Sequence, residues 1–294
     1  MNVISLFNGM NTLRQAMEDL NIPVEKYYSS EIKPYAIKLT QHHFPDTIQL
    51  GDVTKWREWD IDWSTIDFIG SGSPCQDLSI AGKRAGIKGE RSSLFFTFVE
   101  IYEHVKKRNP KVLFLQENVG SANVVDIGIM SRALGIYPVR INSNLVTAQN
   151  RDRYYWTNIR TKEYGMFGDF ITDIPQPKDR HIYLKDIIES GSTELNKSYA
   201  ILHRYGYSSA FKYDTSEKAQ QYYKKRMDMA MFTAIKNDVF YRKLSQTELE
   251  RLQGFPDGYT SVLPYNQAAS VLGDGWTLPV IKHILSFIDY KHVL

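Results

Sequence analysis

The chain contains a single cysteine among 294 residues, which excludes an internal disulfide framework and a zinc site built from cysteines. We therefore predict no metal and a reducing, cytoplasmic compartment. The chain has no run of about 20 apolar residues, so a membrane-spanning helix is not expected. Its first residues lack the cationic and apolar segments of a secretory signal. The GxGxxG fingerprint is absent as well, which disfavours a nicotinamide enzyme.

The composition is that of an ordinary globular protein, with 43% hydrophobic and 23% charged residues. It excludes a disordered, collagen-like or coiled-coil chain. The length fits one large or two modest domains. The net charge of +3 permits nucleic-acid binding but does not demonstrate it.

The first 160 residues alternate short apolar runs with segments of helical spacing. This pattern predicts strands at 3–7, 27–32, 66–70, 112–115, 137–141 and 154–159, and helices at 12–20, 35–43 and 94–105. Strands separated by helices predict an α/β fold with a doubly wound, Rossmann-like sheet. Residues 161–241 are less regular and form a predicted smaller domain. Order returns over 242–294, with helices predicted at 247–252 and 276–288.

Polar segments follow four of the predicted strands: Asn8-Gly9, Glu31, Pro74-Cys75-Gln76 and Glu117-Asn118. In an open α/β sheet, ligands bind outside the carboxyl ends of the strands, so these segments converge on one edge. A glycine after the first strand allows close approach of a ligand, and an acid after the second commonly accepts hydrogen bonds from ribose. A turn glycine and a solvated glutamate are the alternatives.

Two further features suggest catalysis. Cys75 precedes a polar loop, 77–93, whose lysines and arginines favour a nucleophilic thiol, although a structural cysteine is equally consistent with the pattern. Glu117 follows a buried strand, which suits proton donation. A structural ion pair with Arg151 or Arg153 is the alternative. These arginines alternate along the chain, so in an extended segment they share one face and suit an anion, or form a solvated charged face.

Together these segments resemble the DNA cytosine-C5 methyltransferases, in that family's order and over nearly the whole chain. The matching motifs are Ser5-Leu6-Phe7-Asn8-Gly9, Glu31, Gly51-Asp52-Val53, Gly72-Ser73-Pro74-Cys75-Gln76, Glu117-Asn118-Val119, Gln149-Asn150-Arg151-Asp152-Arg153, Arg251-Leu252-Gln253-Gly254-Phe255-Pro256, and Gly273-Asp274-Gly275-Trp276 with Pro279-Val280. The sequences around 77–80 and 94–96 resemble the animal de novo branch. The compact form, without an N-terminal extension, resembles a bacterial or phage enzyme.

The resemblance implies methyl transfer from S-adenosyl-L-methionine to carbon 5 of a flipped cytosine in double-stranded DNA. It implies Cys75 as nucleophile, Glu117 on N3 and the exocyclic amine, and Arg153 on the carbonyl oxygen O2, with Arg151 in the same catalytic set. The implied cofactor residues are Phe7, Asn8, Gly9, Met10, Asn11, Thr12, Glu31, Ile32, Asp52, Val53, Pro74, Leu94, Asp274 and Trp276. The predicted DNA contacts are Gln76, Ser79, Lys83, Arg84, Arg91, Lys224, Lys225 and Arg226.

The resemblance divides the chain into a catalytic domain at 1–160, a target-recognition region at 161–241 and a return to the catalytic domain at 242–294. We expect a monomer, and a cognate restriction endonuclease is a candidate partner. The stretch 222–226 suits a phosphate track or an ordinary solvated helix face. No base is assigned to any side chain.

Two positions depart from the family pattern. Met10-Asn11-Thr12 stands where many members have further glycine, and Asp274 stands where the family usually has asparagine. A carboxylate at 274 favours a cationic sulfonium and opposes a cofactor carrying an additional carboxylate, or it lies away from the cofactor. Three alternatives to DNA methylation stay open: a transfer-RNA cytosine methyltransferase, a non-catalytic DNA-binding regulator and an unrelated Rossmann oxidoreductase.

Overall fold

The computed structural model describes residues 1–74, 94–165, 168–203, 205, 215–229 and 232–289. The chain forms two compact units. The first, here the sheet unit, comprises Met1–Ile141, Asp152–Gln176 and Ile281–Leu294, and the second, the insert unit, comprises Asn142–Arg151 and Pro177–Val280. The chain therefore passes between the units at positions other than the predicted 160 and 241.

The strands in chain order are β1 (Asn2–Leu6), β2 (Lys26–Ser30), β3 (Ile48–Gln49), β4 (Ile66–Ser71), β5 (Leu113–Val119), β6 (Val139–Asn142), β7 (Gln149–Asn150), β8 (Asp152–Thr157), β9 (Thr161–Tyr164), β10 (Asp169–Thr172), β11 (Ser198–Tyr199), β12 (Ala234–Asn237) and β13 (Phe240–Lys243). The helices are α1 (Thr12–Asp19), α2 (Pro34–His43), α3 (Leu94–Lys106), α4 (Val124–Leu134), α5 (Glu217–Asp228), α6 (Gln246–Gln253), α7 (Tyr265–Asp274) and α8 (Leu278–Leu285). Short 3-10 helices occupy Val53–Glu58, Trp63–Thr65, Ser143–Leu145 and Leu184–Asp186.

The sheet unit is built on seven strands in the order β3-β2-β1-β4-β5-β8-β6. The first five strands in this order, from β3 through β2, β1 and β4 to β5, are parallel to one another. Strand β8 pairs antiparallel with β5. The central parallel strands β1 and β4 are mostly buried, as strands covered on both faces are. This arrangement of sheet and helices confirms the predicted Rossmann-like α/β fold.

The core of the sheet unit is aromatic and aliphatic. Phe98, Tyr102 and Phe114 pack with ring centroids 4.6–6.2 Å apart, between α3 and β5. Trp156 is fully buried, and its indole N–H donates to the Ser131 hydroxyl of α4 at 3.0 Å. This core holds the strands whose carboxyl ends carry the predicted functional groups.

The hairpin β9–β10 explains why residues 161–176 stay with the sheet unit. The Tyr137 N–H donates to the Phe170 carbonyl at 2.8 Å, and the Thr172 N–H donates to the Tyr137 carbonyl at 2.9 Å. The segment 142–151 belongs to the insert unit because β7 pairs in parallel with β11. Non-local pairing of this kind cannot be read from local periodicity.

In the insert unit, α6 begins with a capping box in which Ser245 and Glu248 bind each other's backbone N–H groups. It ends at Gly254, whose φ of +75° suits glycine. The predicted final helix is shorter than expected, since α8 spans only Leu278–Leu285 with Pro279 in its first turn. Helices α4 and α7 have no counterpart among the predicted elements. Within the described part of the chain, no helix has the length and apolar character needed to cross a membrane.

Candidate active site at the carboxyl edge of the sheet

The strand registers bring the predicted functional segments to one edge of the sheet unit. Leu6, the last residue of β1, pairs with Ser30 on one side and with Ser71 on the other. Ser71 in turn pairs with Gln116, next to Glu117 in β5. The strand ends therefore align, as the sequence predicts, and the polar segments after neighbouring strands lie side by side.

The loop after β1 is sharply folded. Phe7, Gly9 and Asn11 all have left-handed backbone conformations, with φ of +56°, +56° and +64°. Glycine adopts this region freely and asparagine tolerates it, whereas a bulky residue such as Phe7 does so rarely. Asn11 therefore replaces a family glycine without losing the turn.

The side chain of Asn11 is an unusual feature of this loop. The residue is fully buried, and within the described residues neither its amide oxygen nor its amide nitrogen has a hydrogen-bond partner. A buried amide without a partner is costly, so such groups commonly mark a ligand site.

Glu31 joins the ends of β1 and β2. Its carboxylate accepts hydrogen bonds from the N–H groups of Gly9 at 2.8 Å, Ile32 at 2.8 Å and Lys33 at 2.9 Å. Beside it, the apolar side chain of Ile32 is 67% exposed. The edge thus presents a fixed carboxylate next to an exposed apolar surface.

Asp52 lies shortly after strand β3 and caps the N-terminus of the 3-10 helix Val53–Glu58. Hydrogen bonds from the Thr54 N–H and then from the Thr54 hydroxyl, both at 2.9 Å, hold the pKa of Asp52 below its ordinary value. Gly51 before it has a φ of +73° and open space where a Cβ would stand. Asp52 is therefore an ionised, accessible carboxylate.

Other predicted cofactor residues face the interior of the unit. The Asn8 amide donates to the Thr40 hydroxyl at 3.2 Å and accepts from the Tyr27 hydroxyl at 3.2 Å. The side chains of Met10, Thr12 and Val53 are buried, whereas Phe7, Pro74 and Leu94 are half-buried. Asn8 thus holds the first loop against β2 and α2.

The end of β4 is tied to β5 through Ser73. The Ser73 hydroxyl accepts hydrogen bonds from the amides of Gln116 at 2.9 Å and Asn118 at 3.4 Å. These anchors stand two residues before the predicted nucleophile, Cys75. Cys75, Gln76, Ser79, Lys83, Arg84 and Arg91 lie outside the described residues.

Glu117 and Arg153 form an ion pair at this edge. The Glu117 carboxylate lies 2.8 Å from Arg153 Nε, and both side chains are largely buried, with 11% and 16% exposed. The antiparallel register places Val119 opposite Arg153 and Tyr155 opposite Glu117, so the pair are diagonal neighbours on one face. The ion pair therefore holds the two side chains in a fixed orientation relative to each other.

Arg151 does not join this pair. Its guanidinium is buried and donates to the carbonyls of Gly273 at 3.0 Å, Gly275 at 2.8 Å and Ile201 at 3.4 Å, all within the insert unit. The two arginines therefore do not form the shared anion-binding face that their alternation predicts. These contacts favour a positioning role for Arg151.

The remaining predicted residues also lie in the insert unit. Asp274 Oδ2 stands 2.7 Å from Nδ1 of His203, and Trp276 is half-buried. On α5, Lys224 and Lys225 are exposed, whereas the guanidinium of Arg226 lies over the Tyr222 ring at 5.8 Å. The basic stretch is thus a helix face, and its two lysines are open to a phosphate.

Sequence reasoning missed Gly120, which lies at the end of the same edge. A Cβ at this position would stand 2.7 Å from the Asp152 side chain, and the Gly120 N–H donates to the Asp152 carbonyl at 3.0 Å. This close contact brings β5 and β8 together beside Glu117 and Arg153. The glycine directly after the Glu-Asn-Val motif was the available signal.

Comparison with known proteins identifies the family. The model of the C-5 cytosine-specific DNA methylases matches residues 1–128 and 138–289. The type II methyltransferase M1.ScrFI of Lactococcus lactis subsp. cremoris is 29% identical, covering 96% of this chain and 76% of that protein. The type II methyltransferase M.NgoBV of Neisseria gonorrhoeae is 32% identical over 64% of this chain and 41% of its own length.

Among solved structures, a mutant of Spodoptera frugiperda DNMT2 matches with a TM-score of 0.60 over 97% of this chain and 98% of that chain. At 17% identity this likeness shows the shared fold alone. The fold, the edge motifs and the family model agree with the resemblance drawn from the sequence. The chain belongs to the C-5 cytosine-specific DNA methylase family, the DNA (cytosine-5) methyltransferases.

Proposed function

We propose that the chain methylates carbon 5 of a flipped cytosine in double-stranded DNA, with Cys75 as a covalent nucleophile and S-adenosyl-L-methionine as methyl donor. The observation that carries the proposal is the Glu117–Arg153 ion pair at the carboxyl edge of the sheet. A carboxylate and a guanidinium held side by side present the acceptor and donors that the N3, amine and O2 edge of cytosine needs.

The residues that follow β1, β2 and β3 at the carboxyl edge of the sheet fit the proposed cofactor. Glu31 retains acceptor capacity for ribose hydroxyls beyond its three N–H contacts, because a carboxylate has about four lone-pair sites. The exposed Ile32 side chain suits the face of a purine, and Asp52 suits its polar rim. The buried amide of Asn11 offers a donor and an acceptor to the amino-acid end. When bound, S-adenosyl-L-methionine supplies a methyl group on a positively charged sulfur that leaves readily.

The chain's own residues account for activation of the base. The Cys75 thiolate adds to carbon 6, forming a C–S bond and breaking the aromaticity of the ring. In its protonated form Glu117 gives a proton to N3, which offsets the developing charge, and its other oxygen accepts a hydrogen bond from the exocyclic amine. Arg153 donates to O2 and stabilises the same charge. Once carbon 5 is methylated, loss of its proton returns the electron pair that expels Cys75.

A base stacked in a duplex cannot reach such groups, so the cytosine must leave the helix at a cost of a few kcal/mol. Lys224 and Lys225 on α5 are proposed phosphate contacts, because both are exposed on one basic helix. The predicted contacts within 76–91 keep the same proposed role. Both curated relatives compared above are named type II methyltransferases, which supports a restriction endonuclease as partner. The cytoplasmic location and the monomeric state stay predictions.

The test is transfer of a labelled methyl group to duplex DNA of random sequence, with transfer RNA as the competing substrate. Wild type is expected to label the duplex and to leave the RNA unlabelled. Label on RNA alone assigns the chain to the RNA alternative. Cofactor binding by calorimetry without transfer to either substrate supports the non-catalytic alternative, and a chain that binds no cofactor contradicts the proposal.

A further inference from the structure

His203 is held by two side chains of α7. Its Nδ1 lies 2.7 Å from Asp274 Oδ2 and 2.9 Å from the Ser270 hydroxyl. Serine, histidine and aspartate occur together in hydrolases, but there the histidine uses a different ring nitrogen for each partner. Here both oxygens contact the same nitrogen, so the trio cannot relay a proton from serine to aspartate. The arrangement fastens His203 to the end of α7.

The backbone beside His203 is fastened to the same turn. Arg151 donates to the carbonyl of Ile201 and to the carbonyls of Gly273 and Gly275. Gln149 accepts from the Ile201 N–H at 2.9 Å. Gly273 packs closely against Leu202, the residue that follows Ile201. A Cβ at position 273 would stand 2.7 Å from the Leu202 carbonyl oxygen, so any side chain there would push Leu202 away. We call this set of contacts the α7 clamp.

A chain of packed rings leads from the α7 clamp to the basic helix. Tyr205, two residues after His203, donates its hydroxyl to the Thr233 carbonyl at 2.6 Å and stacks on Phe232 with centroids 4.4 Å apart. Phe232 lies 5.8 Å from Tyr223, which is the fully buried aromatic residue of α5. A buried aromatic contact fixes where a helix sits, because its volume has no alternative site.

We propose that Asp274 and Arg151 are positioning residues for DNA binding. Through the α7 clamp they hold residues 201–203, and through Tyr205, Phe232 and Tyr223 they fix the position of α5, which presents Lys224 and Lys225. This inference rests on the proposed function, since α5 is the proposed phosphate contact. It also explains why position 274 carries a carboxylate: it is matched to a histidine of this chain and is engaged by that histidine.

The experiment compares Asp274→Ala, His203→Ala and the double variant in the full chain. Three quantities are measured: KM for duplex DNA, kcat, and the Kd of S-adenosyl-L-methionine by calorimetry. Each single variant is expected to raise KM for DNA about two- to fivefold, the range for a partly exposed aspartate–histidine contact. The double variant should be no worse than either single variant, because both remove one interaction. The Kd of the cofactor and kcat should stay within about twofold.

Asp274→Asn is the conservative variant. Its amide oxygen still accepts a hydrogen bond from His203, so KM should return toward the wild-type value. Asp179→Ala is the matched control, because it removes an exposed aspartate–histidine contact, Asp179 to His181 at 3.4 Å, elsewhere in the same unit. That control should leave KM for DNA unchanged.

The outcomes separate the two claims. If wild type labels duplex DNA and Asp274→Ala has an unchanged KM for DNA, the positioning role of Asp274 is overturned. The proposed function then stays intact. A raised Kd for the cofactor in Asp274→Ala with an unchanged KM also overturns the positioning role, because Asp274 would then be a cofactor contact. Additive effects in the double variant contradict it as well. A wild type that binds cofactor and labels no DNA overturns the proposed function and this inference with it.

Discussion

Arg151 and Arg153 stand two residues apart in one motif, yet they belong to different units and do different work. Arg153, in the sheet unit, pairs with another side chain, the Glu117 carboxylate. Arg151, in the insert unit, donates its guanidinium hydrogens to three backbone carbonyls. A charged side chain that binds another side chain can exchange that partner for a substrate. A side chain that binds three backbone carbonyls cannot exchange them for a substrate without loosening the fold.

The same contrast runs through the two units. The sheet unit has an aromatic core, and two of its carboxylates, Glu31 and Glu117, lie at strand ends. The insert unit buries two carboxylates completely: Glu248 pairs with Arg242, and Glu250 accepts from the N–H groups of Gly258 and Thr260. Buried charges need such partners because desolvation is costly. In the insert unit these charges are held by an arginine and by backbone groups, whereas at the sheet edge Glu117 is paired with Arg153.

The largest effect should come from Glu117→Gln in the sheet unit. The amide keeps the size of the side chain but cannot supply a proton, so kcat for methyl transfer should fall about 10²–10⁴-fold. The Kd of the cofactor should not change. Glu103→Gln is the control, since Glu103 forms an exposed pair with Lys106 at 3.8 Å. Full activity in Glu117→Gln would contradict the contrast between the two units, because the Glu117–Arg153 pair would then have a structural role only.

A smaller effect is expected from Glu248→Gln in the insert unit, and it should appear in stability. Loss of the charge leaves Arg242 buried and uncompensated, which should lower the free energy of unfolding by about 3 kcal/mol. Urea titration at neutral pH measures it. Asp257→Asn, which removes an exposed pair with Arg251, should cost less than about 1 kcal/mol. Equal costs for the two variants would remove the distinction drawn between buried and exposed charges.

The same buried pair sets a pH dependence. Burial by itself raises the pKa of Glu248, but hydrogen bonds from Arg242 and from the N–H groups of Glu189 and Ser245 outweigh it and hold the pKa below its ordinary value. A carboxyl whose pKa is lowered by folding contributes stability above its unfolded pKa, and that stability is lost as the pH falls through the folded pKa. Wild type should therefore lose stability on acidification more steeply than Glu248→Gln does in the same titration.

The smallest effect should come from Asn11→Gly. Glycine keeps the left-handed turn, so the free energy of unfolding should change by less than about 1 kcal/mol. If the buried amide binds the cofactor, its Kd should rise about fivefold, the value of one hydrogen bond. Asn21→Gly is the matched control, because Asn21 is also left-handed, with φ of +54°, and is not among the predicted site residues. Identical Kd values for both variants would show that Asn11 serves the turn alone.

The contrast between units also explains how far the sequence predicts the fold and the site. Strands β1 and β5 are predictable because residues 3–6 and 113–115 are mainly apolar runs that polar residues follow, whereas β3, β9 and β10 are not among the predicted strands. Helix α4 is not predictable, because it begins with two exposed valines, 87% and 70% accessible, and contains a glycine. The partners of Arg151 lie more than 120 residues away at Gly273 and Gly275, so no local pattern could reveal its role. The antiparallel direction of β8 depends on pairing of the same long-range kind.

The central claim is methyl transfer to carbon 5 of a cytosine that Cys75 has bonded covalently at carbon 6, and 5-fluorocytosine tests it most directly. Fluorine cannot leave as the proton does, so a working enzyme should be trapped on DNA that carries this base. Incubation of wild type with such DNA and S-adenosyl-L-methionine should give an adduct at Cys75 whose mass includes one methyl group. Denaturing mass spectrometry that finds no adduct, while calorimetry shows the cofactor bound, would contradict the account.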